Sequence, residues 1–169
     1  YSGDPLEYRK LLTGRRIVGA EGYGAFVDIL LDDDVHLLLS DGVNLRLYAS
    51  EAGIPAKYQL LVTLDDERFL VFTVAMYGGI LAFRGDFENP YYRGAKTKYS
   101  PLDAEFDTGY FRSLLAGAKP NLSAKAFLAT EQRIPGLGNG VLQDILFRAG
   151  IHPKRKLATL DEEDAERLF

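Results

Sequence analysis

Apolar and polar residues alternate through the first half of the chain, and apolar positions recur three and four apart through the second. Period-two alternation marks half-buried strands, and the longer interval marks amphipathic helices. Before the alternation begins, Asp4 to Leu12 predicts a short helix with Leu6, Leu11 and Leu12 on its apolar side. Strands are expected over Arg16–Ala20, Ala25–Leu31, Val35–Ser40 and Asn44–Ala49, punctuated by Gly22 and Gly24, Asp32-Asp33-Asp34 and Asp41-Gly42. Tyr58–Leu64 and Arg68–Ala75 predict a hairpin around Asp65-Asp66, and Gly79–Phe83 a last strand. Short strands at such spacing predict an antiparallel sandwich.

After Gly85 the pattern changes. Asn89-Pro90-Tyr91-Tyr92 and Lys96–Pro101 read as irregular chain, and helical spacing starts near Leu102. Asp107 is placed to cap a helix with Tyr110, Phe111, Leu114 and Leu115 on its apolar face, and Ser123 to cap a second through Lys125, Phe127 and Leu128. Gly140–Ala149 predicts a third, stopped by Gly150. Thr159 and Glu162 have the spacing of a capping box for a fourth. The expected organisation is α+β: a β-sandwich over 1–85, a linker over 86–101 and a helical domain over 102–169.

Composition narrows the chemistry. The 169 residues are 47% hydrophobic, enough for packed cores, and no apolar run nears the roughly 20 residues that span a bilayer. With no cysteine, neither a disulfide framework nor a thiolate metal site is available. His36 and His152 are too few to build a zinc site alone, and Asp32-Asp33-Asp34 reads as an acidic turn and not a metal cluster. A net charge of −4 argues against nucleic-acid binding by bulk charge, so any such binding must come from a local constellation.

One constellation stands out. Gly136-Leu137-Gly138-Asn139-Gly140 opens onto a helix that closes at Ala149-Gly150-Ile151-His152-Pro153. Glycines admit a ligand close to backbone N–H groups, and a helix N-terminus favours an anion. Lys125 and Asn139 each bring donors suited to phosphate oxygens. From Lys125 through Gly136-Leu137-Gly138-Asn139 to His152-Pro153, the string resembles the helix–two-turn–helix segment of the formamidopyrimidine-DNA glycosylase / endonuclease VIII family.

The resemblance implies that Lys125, Asn139 and the Gly138 and Gly140 amides bind the phosphate beside a damaged nucleotide. In that family, sandwich loops fill the gap left by an extruded base, typically with methionine, arginine and phenylalanine. The methionine position falls near Asp41 and the others near Met76-Tyr77-Gly78, so Met76 and Tyr77 are candidate wedges, whereas Asp41-Gly42 reads better as a hairpin turn. Lys154 and Arg155 are candidate backbone contacts, and Lys154-Arg155-Lys156 reads equally well as a solvated loop; His152 reads as a packing or capping residue. Family members also hold a lysine on a strand; here Gly24-Ala25-Phe26 takes that place, leaving Ala25, with Arg46 on a strand of the same sheet as a substitute cation.

By the same resemblance, the chain is the internal part of a monomeric DNA glycosylase and abasic-site lyase of base excision repair. It would act on oxidised bases in double-stranded DNA in a bacterial cytoplasm, at the nucleoid. The nucleophile would be an N-terminal proline amine, assisted by a glutamate, and a basic zinc finger would follow the helical domain. Neither catalytic residue nor any cofactor site is expected within these residues, and the opening Tyr1-Ser2-Gly3-Asp4-Pro5 reads as the middle of a loop. Two other readings remain open. One is a non-catalytic binder of damaged DNA with the same fold, favoured by Ala25; the other is a purely structural helix–two-turn–helix module, disfavoured by the preceding strands.

Overall fold

The computed structural model describes residues 4–169, so Tyr1-Ser2-Gly3 and the reading made of them lie outside it. The chain divides into two compact units between Phe87 and Glu88. Both units are built as the periodicities require, strands in the first and helices in the second.

The first unit opens with helix α1, Pro5–Leu12, whose first turn is capped by the Asp4 carboxylate accepting from Leu6 N–H at 2.9 Å. Strands β1 (Ile17–Tyr23), β2 (Phe26–Leu31), β3 (Val35–Ser40) and β7 (Ile80–Arg84) form one antiparallel sheet in the order β1-β2-β3-β7. Strands β4 (Val43–Tyr48), β5 (Leu60–Thr63) and β6 (Phe69–Val74) form the other, in the order β4-β6-β5. Ile29, Leu31, Val35, Leu37 and Leu39 of the first sheet meet Phe72 of the second, with Leu11 and Leu12 of α1 at the margin. This is the expected sandwich. The only helical turn between Ala25 and Ala75 is a 3-10 turn at Glu51–Gly53.

Two strand-level expectations change. The turn at Asp41-Gly42 is not a hairpin, because β3 pairs with β2 and β7 whereas β4 pairs with β6. The turn instead carries the chain from one sheet to the other. Arg46 therefore lies in the second sheet, on β4, and Ala25 lies in the tight turn between β1 and β2 of the first. A cation on β4 is not a same-sheet substitute for a side chain at Ala25.

His36 also has a definite place. Asp28 is fully buried on the face of the first sheet opposite the core, and His36 Nδ1 sits 3.0 and 3.1 Å from its two carboxylate oxygens. The His36 ring stacks on Phe83 at 4.9 Å. A buried carboxylate needs such a partner, and the histidine serves it. Asp33 of the acidic turn pairs with Arg15, and no group of three or more metal-ligating side chains occurs among the described residues.

In the second unit, helix α2 occupies Pro90–Thr97, where irregular chain was expected. The helices that follow are α3 (Thr108–Ala116), α4 (Ala124–Ala129), α5 (Asn139–Arg148) and α6 (Glu162–Leu168). Asp107 and Ser123 cap α3 and α4 as expected, and Gly150, with φ +67, ends α5. Phe111, Ala124, Phe127, Leu128, Leu142 and Leu146 form the centre of a shared core. The cap of α6 is Asp161, not Thr159: Asp161 and Asp164 exchange backbone and side-chain hydrogen bonds, while Thr159 closes a 3-10 turn at Leu157–Thr159.

Candidate nucleic-acid interface

Helix α5 begins differently from its neighbours. Helices α1, α2, α3, α4 and α6 each start with an Asp, Asn or Ser side chain that accepts a backbone N–H of the first turn. Helix α5 starts at Gly138, which has no side chain to offer. No hydrogen bond within the described chain takes the N–H of Asn139, Gly140 or Val141; the first amide engaged is that of Leu142, which donates to Gly138 O at 3.0 Å. Three donors at the positive end of a helix are therefore directed outward, where an anion is their natural partner.

The glycines beside these donors are not explained by the fold. Gly138 has φ −78 and ψ 158, a conformation open to any residue, and Gly140 is likewise outside the left-handed region. A Cβ at either would meet nothing within 4 Å. Asn139 is exposed, with its backbone carbonyl accepting from Gln143 Nε2 at 3.1 Å.

Lys125 stands in the first turn of α4, which packs against α5 through the shared core. It is exposed, and its ammonium has no hydrogen bond or ion pair among the described residues. The start of α4 is laced to the segment after α5: Ala124 N–H donates to Arg155 O at 2.8 Å and Lys125 N–H to Pro153 O at 3.0 Å. That lacing brings Lys125 beside Lys154, which is also exposed and unpaired among the described residues. A local basic group thus exists on a chain of net negative charge.

Arg155 is committed elsewhere. Its guanidinium pairs with the buried Asp164 carboxylate and donates to Thr159 O at 2.7 Å, so it holds the α6 region to the strap that follows α5. His152 is exposed, and its Nδ1 accepts Lys154 N–H at 3.2 Å, which is the turn-capping role expected of it.

Burial alone would raise the Asp164 pKa, but the Asp161 N–H, Arg155 and Arg167 outweigh it and hold the carboxyl below the usual range. A depressed carboxyl stabilises the fold above its unfolded pKa, and that contribution disappears as pH falls through the folded one. Melting temperature is therefore expected to drop below about pH 4, and Asp164→Asn to make that acid limb shallower than in the wild type. An identical acid limb in a folded Asp164→Asn protein would remove the assignment.

In the sandwich unit, Met76 and Tyr77 project from the loop between β6 and β7 and are 91% and 95% exposed. Their loop is pressed backbone to backbone against the Asp41-Gly42 turn. A Cβ on Gly42, which has φ +90, would lie 2.5 Å from Ala75 O, and one on Gly78 would lie 2.7 Å from the Gly42 carbonyl carbon. Gly42→Ala should cost at least about 1 kcal/mol in a denaturant melt. An unchanged melt would show that the loop is not locked by this contact.

No family model matches the chain. Sequence relatives do: formamidopyrimidine-DNA glycosylase of Solibacter usitatus is 28% identical over 167 residues, covering 99% of this chain and 60% of that protein. The Thermus thermophilus protein of the same name is 32% identical over 175 residues, covering 98% of this chain and 61% of its own. Among solved structures, Lactococcus lactis Fpg in complex with DNA containing FAPY-dG superposes with a TM-score of 0.80 at 25% identity, covering 96% of this chain and 62% of that one. MutM (Fpg) of Thermus thermophilus gives 0.74 at 29% identity, covering 94% of this chain and 58% of that one. The chain thus spans about three-fifths of the length of the relatives it matches. The likeness runs through both units, so the sandwich-plus-helices fold is the fold of these proteins.

Proposed function

We propose that this chain, related to the formamidopyrimidine-DNA glycosylases over nearly all its residues, is the DNA-gripping part of a base excision repair glycosylase. The observation that carries the reading is the start of α5. Its three free amides are flanked by glycines whose missing side chains leave open space, and a DNA phosphate is the anion proposed to occupy it. Asn139 and Lys125 add a neutral and a charged donor to the same phosphate, and Lys154 adds charge to the approach. Arg155 serves the interface only by fixing the strap that bears Lys154.

In the sandwich, Met76 and Tyr77 are the proposed wedges. A base taken out of the duplex leaves a stacking gap, and an exposed aromatic or thioether side chain on a locked loop can fill it. The test is fluorescence anisotropy of the chain with a duplex containing an abasic site, across a salt series. Binding that falls linearly in log–log form with salt is expected. No binding at low salt would end the proposal.

Gly140→Ala separates the site from the scaffold. Alanine inside a helix replaces glycine with a gain of about 0.5–1 kcal/mol, while its methyl group crowds the proposed phosphate. Higher melting temperature with weaker DNA binding is expected; unchanged binding would show that the open space is unused.

For the longer protein, the proposed chemistry is Schiff-base glycosylase and abasic-site lyase action on oxidised bases in double-stranded DNA, as a monomer at the bacterial nucleoid. The nitrogen of an N-terminal proline would bond to C1′ as the base departs, and loss of a C2′ proton from the iminium would expel the 3′-phosphate. None of the residues here supplies that amine. They do not fit a zinc ion either, lacking cysteine and any cluster of three ligands among the described residues, so a zinc finger belongs to the proposal only as a separate segment. Among the described residues no helix is long and apolar enough to cross a membrane.

A specific observation favours a second reading, a non-catalytic binder of damaged DNA. By the resemblance, Ala25 stands where the family's lysine falls, and the candidate substitute, Arg46, belongs to the other sheet. Borohydride trapping of the full-length protein on abasic DNA decides between them, because only an imine is trapped. A covalent adduct supports the enzyme; retained binding without an adduct supports the binder.

A further inference from the structure

The turn that leads into α5 adopts a conformation that its own residues disfavour. Glu131 and Gln132, neither of them glycine, both have positive φ, +62 and +46. Two consecutive left-handed residues are strained for side chains with a Cβ. They also direct two successive carbonyls outward, and no backbone N–H in the described chain takes either one. Lys98 takes both. Its ammonium lies 3.0 Å from Glu131 O and 3.0 Å from Gln132 O.

Lys98 is well placed for this. It caps the end of α2, its N–H donating to Gly94 O at 3.2 Å, and α2 is anchored by buried Tyr92 and Ala95. The turn passes beside Gly94, where an added Cβ would make an ordinary 3.7 Å contact with that of Gln132. Lys98 forms no ion pair among the described residues, so the carbonyl pair is what receives its charge. From the other side Arg133 holds the end of α4, its Nη1 donating to Ala126 O, Phe127 O and Thr130 O at 3.4, 3.3 and 3.2 Å. Beyond the turn, Ile134 and Pro135 are buried, and the chain then reaches Gly138 and the free amides of α5.

We infer that Lys98 is a positioning residue for DNA binding: its ammonium stabilises the left-handed pair Glu131-Gln132 and thereby sets where the start of α5 stands relative to Lys125. The inference rests on the DNA-binding reading of α5. Lys98 itself touches no phosphate. It acts through the turn, so its removal weakens binding without removing a counterion-releasing contact.

The test uses the whole chain with the Lys98→Met substitution, and a duplex with one abasic site as probe. Affinity is expected to fall about tenfold with the slope of log affinity against log salt unchanged. A slope reduced by about one would make Lys98 a direct phosphate ligand and overturn the inference, as would unchanged affinity. Gln132→Gly in the Lys98→Met background is expected to recover part of the loss, because glycine adopts positive φ without strain. No recovery would leave Lys98 as general scaffolding and also overturn it.

A DNA-independent readout keeps this distinct from the functional reading. Hydrogen exchange of the Leu137 and Leu142 amides, which bond to Ile134 O and Gly138 O, is expected to quicken in Lys98→Met. Faster exchange with no DNA binding by the wild type would sink the functional reading and retain the clamp. Unchanged exchange would sink the clamp whatever the DNA result.

Discussion

Phe127→Ala is expected to destabilise the helical unit by about 3–5 kcal/mol. Phe127 is fully buried on α4, with its ring edge-on to Phe111 at 5.9 Å and the Arg133 guanidinium 5.8 Å from its centroid. Truncation removes the apolar burial, opens a cavity and breaks both contacts. The surrounding helices are short, so their stability comes from this packing and not from local propensity. A unit of this size has about 5–15 kcal/mol in total, so the variant sits near its unfolding threshold at room temperature. Urea unfolding followed by helical circular dichroism checks it; a loss below about 1 kcal/mol would show that the core centres elsewhere.

The legibility of the fold varied with how local its determinants are. Val35–Ser40 is a short apolar run bounded by Asp32-Asp33-Asp34 and Asp41-Gly42, and its boundaries match the structure to the residue. The caps at Asp107 and Ser123 were equally plain, because a cap depends on a few neighbouring residues. Sheet membership was not legible. Asp41-Gly42 looks like any tight turn, and whether it joins paired strands or crosses between sheets depends on distant β6 and β7. The sheet to which Arg46 belongs is set by the same distant pairing.

Helix α2 was hidden by composition. Tyr91, Tyr92, Gly94 and Thr97 are weak helix formers, and tertiary burial of Tyr92 and Ala95 overrides them. The signal that could have found it is Asn89-Pro90, a cap followed by proline at the first helical position. Thr159-Glu162 and Asp161-Asp164 are overlapping cap signals, and only the burial of Asp164 against Arg155 and Arg167 selects the second. The glycine-rich motif was legible as a string. That its glycines leave space the protein does not use, and that Lys98 holds the turn before it, depends on residues far apart in the chain.

Asn139→Ala is expected to weaken binding to abasic-site DNA by about 1–3 kcal/mol, the range for losing a hydrogen bond to a charged group. The fold should tolerate the change. Asn139 is exposed, its side chain makes no hydrogen bond among the described residues, and alanine is the better helix former. Lys125→Ala should also weaken binding, with a different signature. An ammonium on phosphate releases a counterion from DNA, so its loss reduces the salt slope by about one unit, whereas removal of the neutral Asn139 amide leaves the slope unchanged. The Lys125 ammonium has no hydrogen bond or ion pair among the described residues, so the melting temperature of this variant should stay near that of the wild type. The two variants therefore separate a charged contact from a neutral one at the same phosphate. Anisotropy titrations at several salt concentrations read both quantities at once. If both variants bind as the wild type does, the free amides of α5 are architecture alone and the phosphate must sit elsewhere.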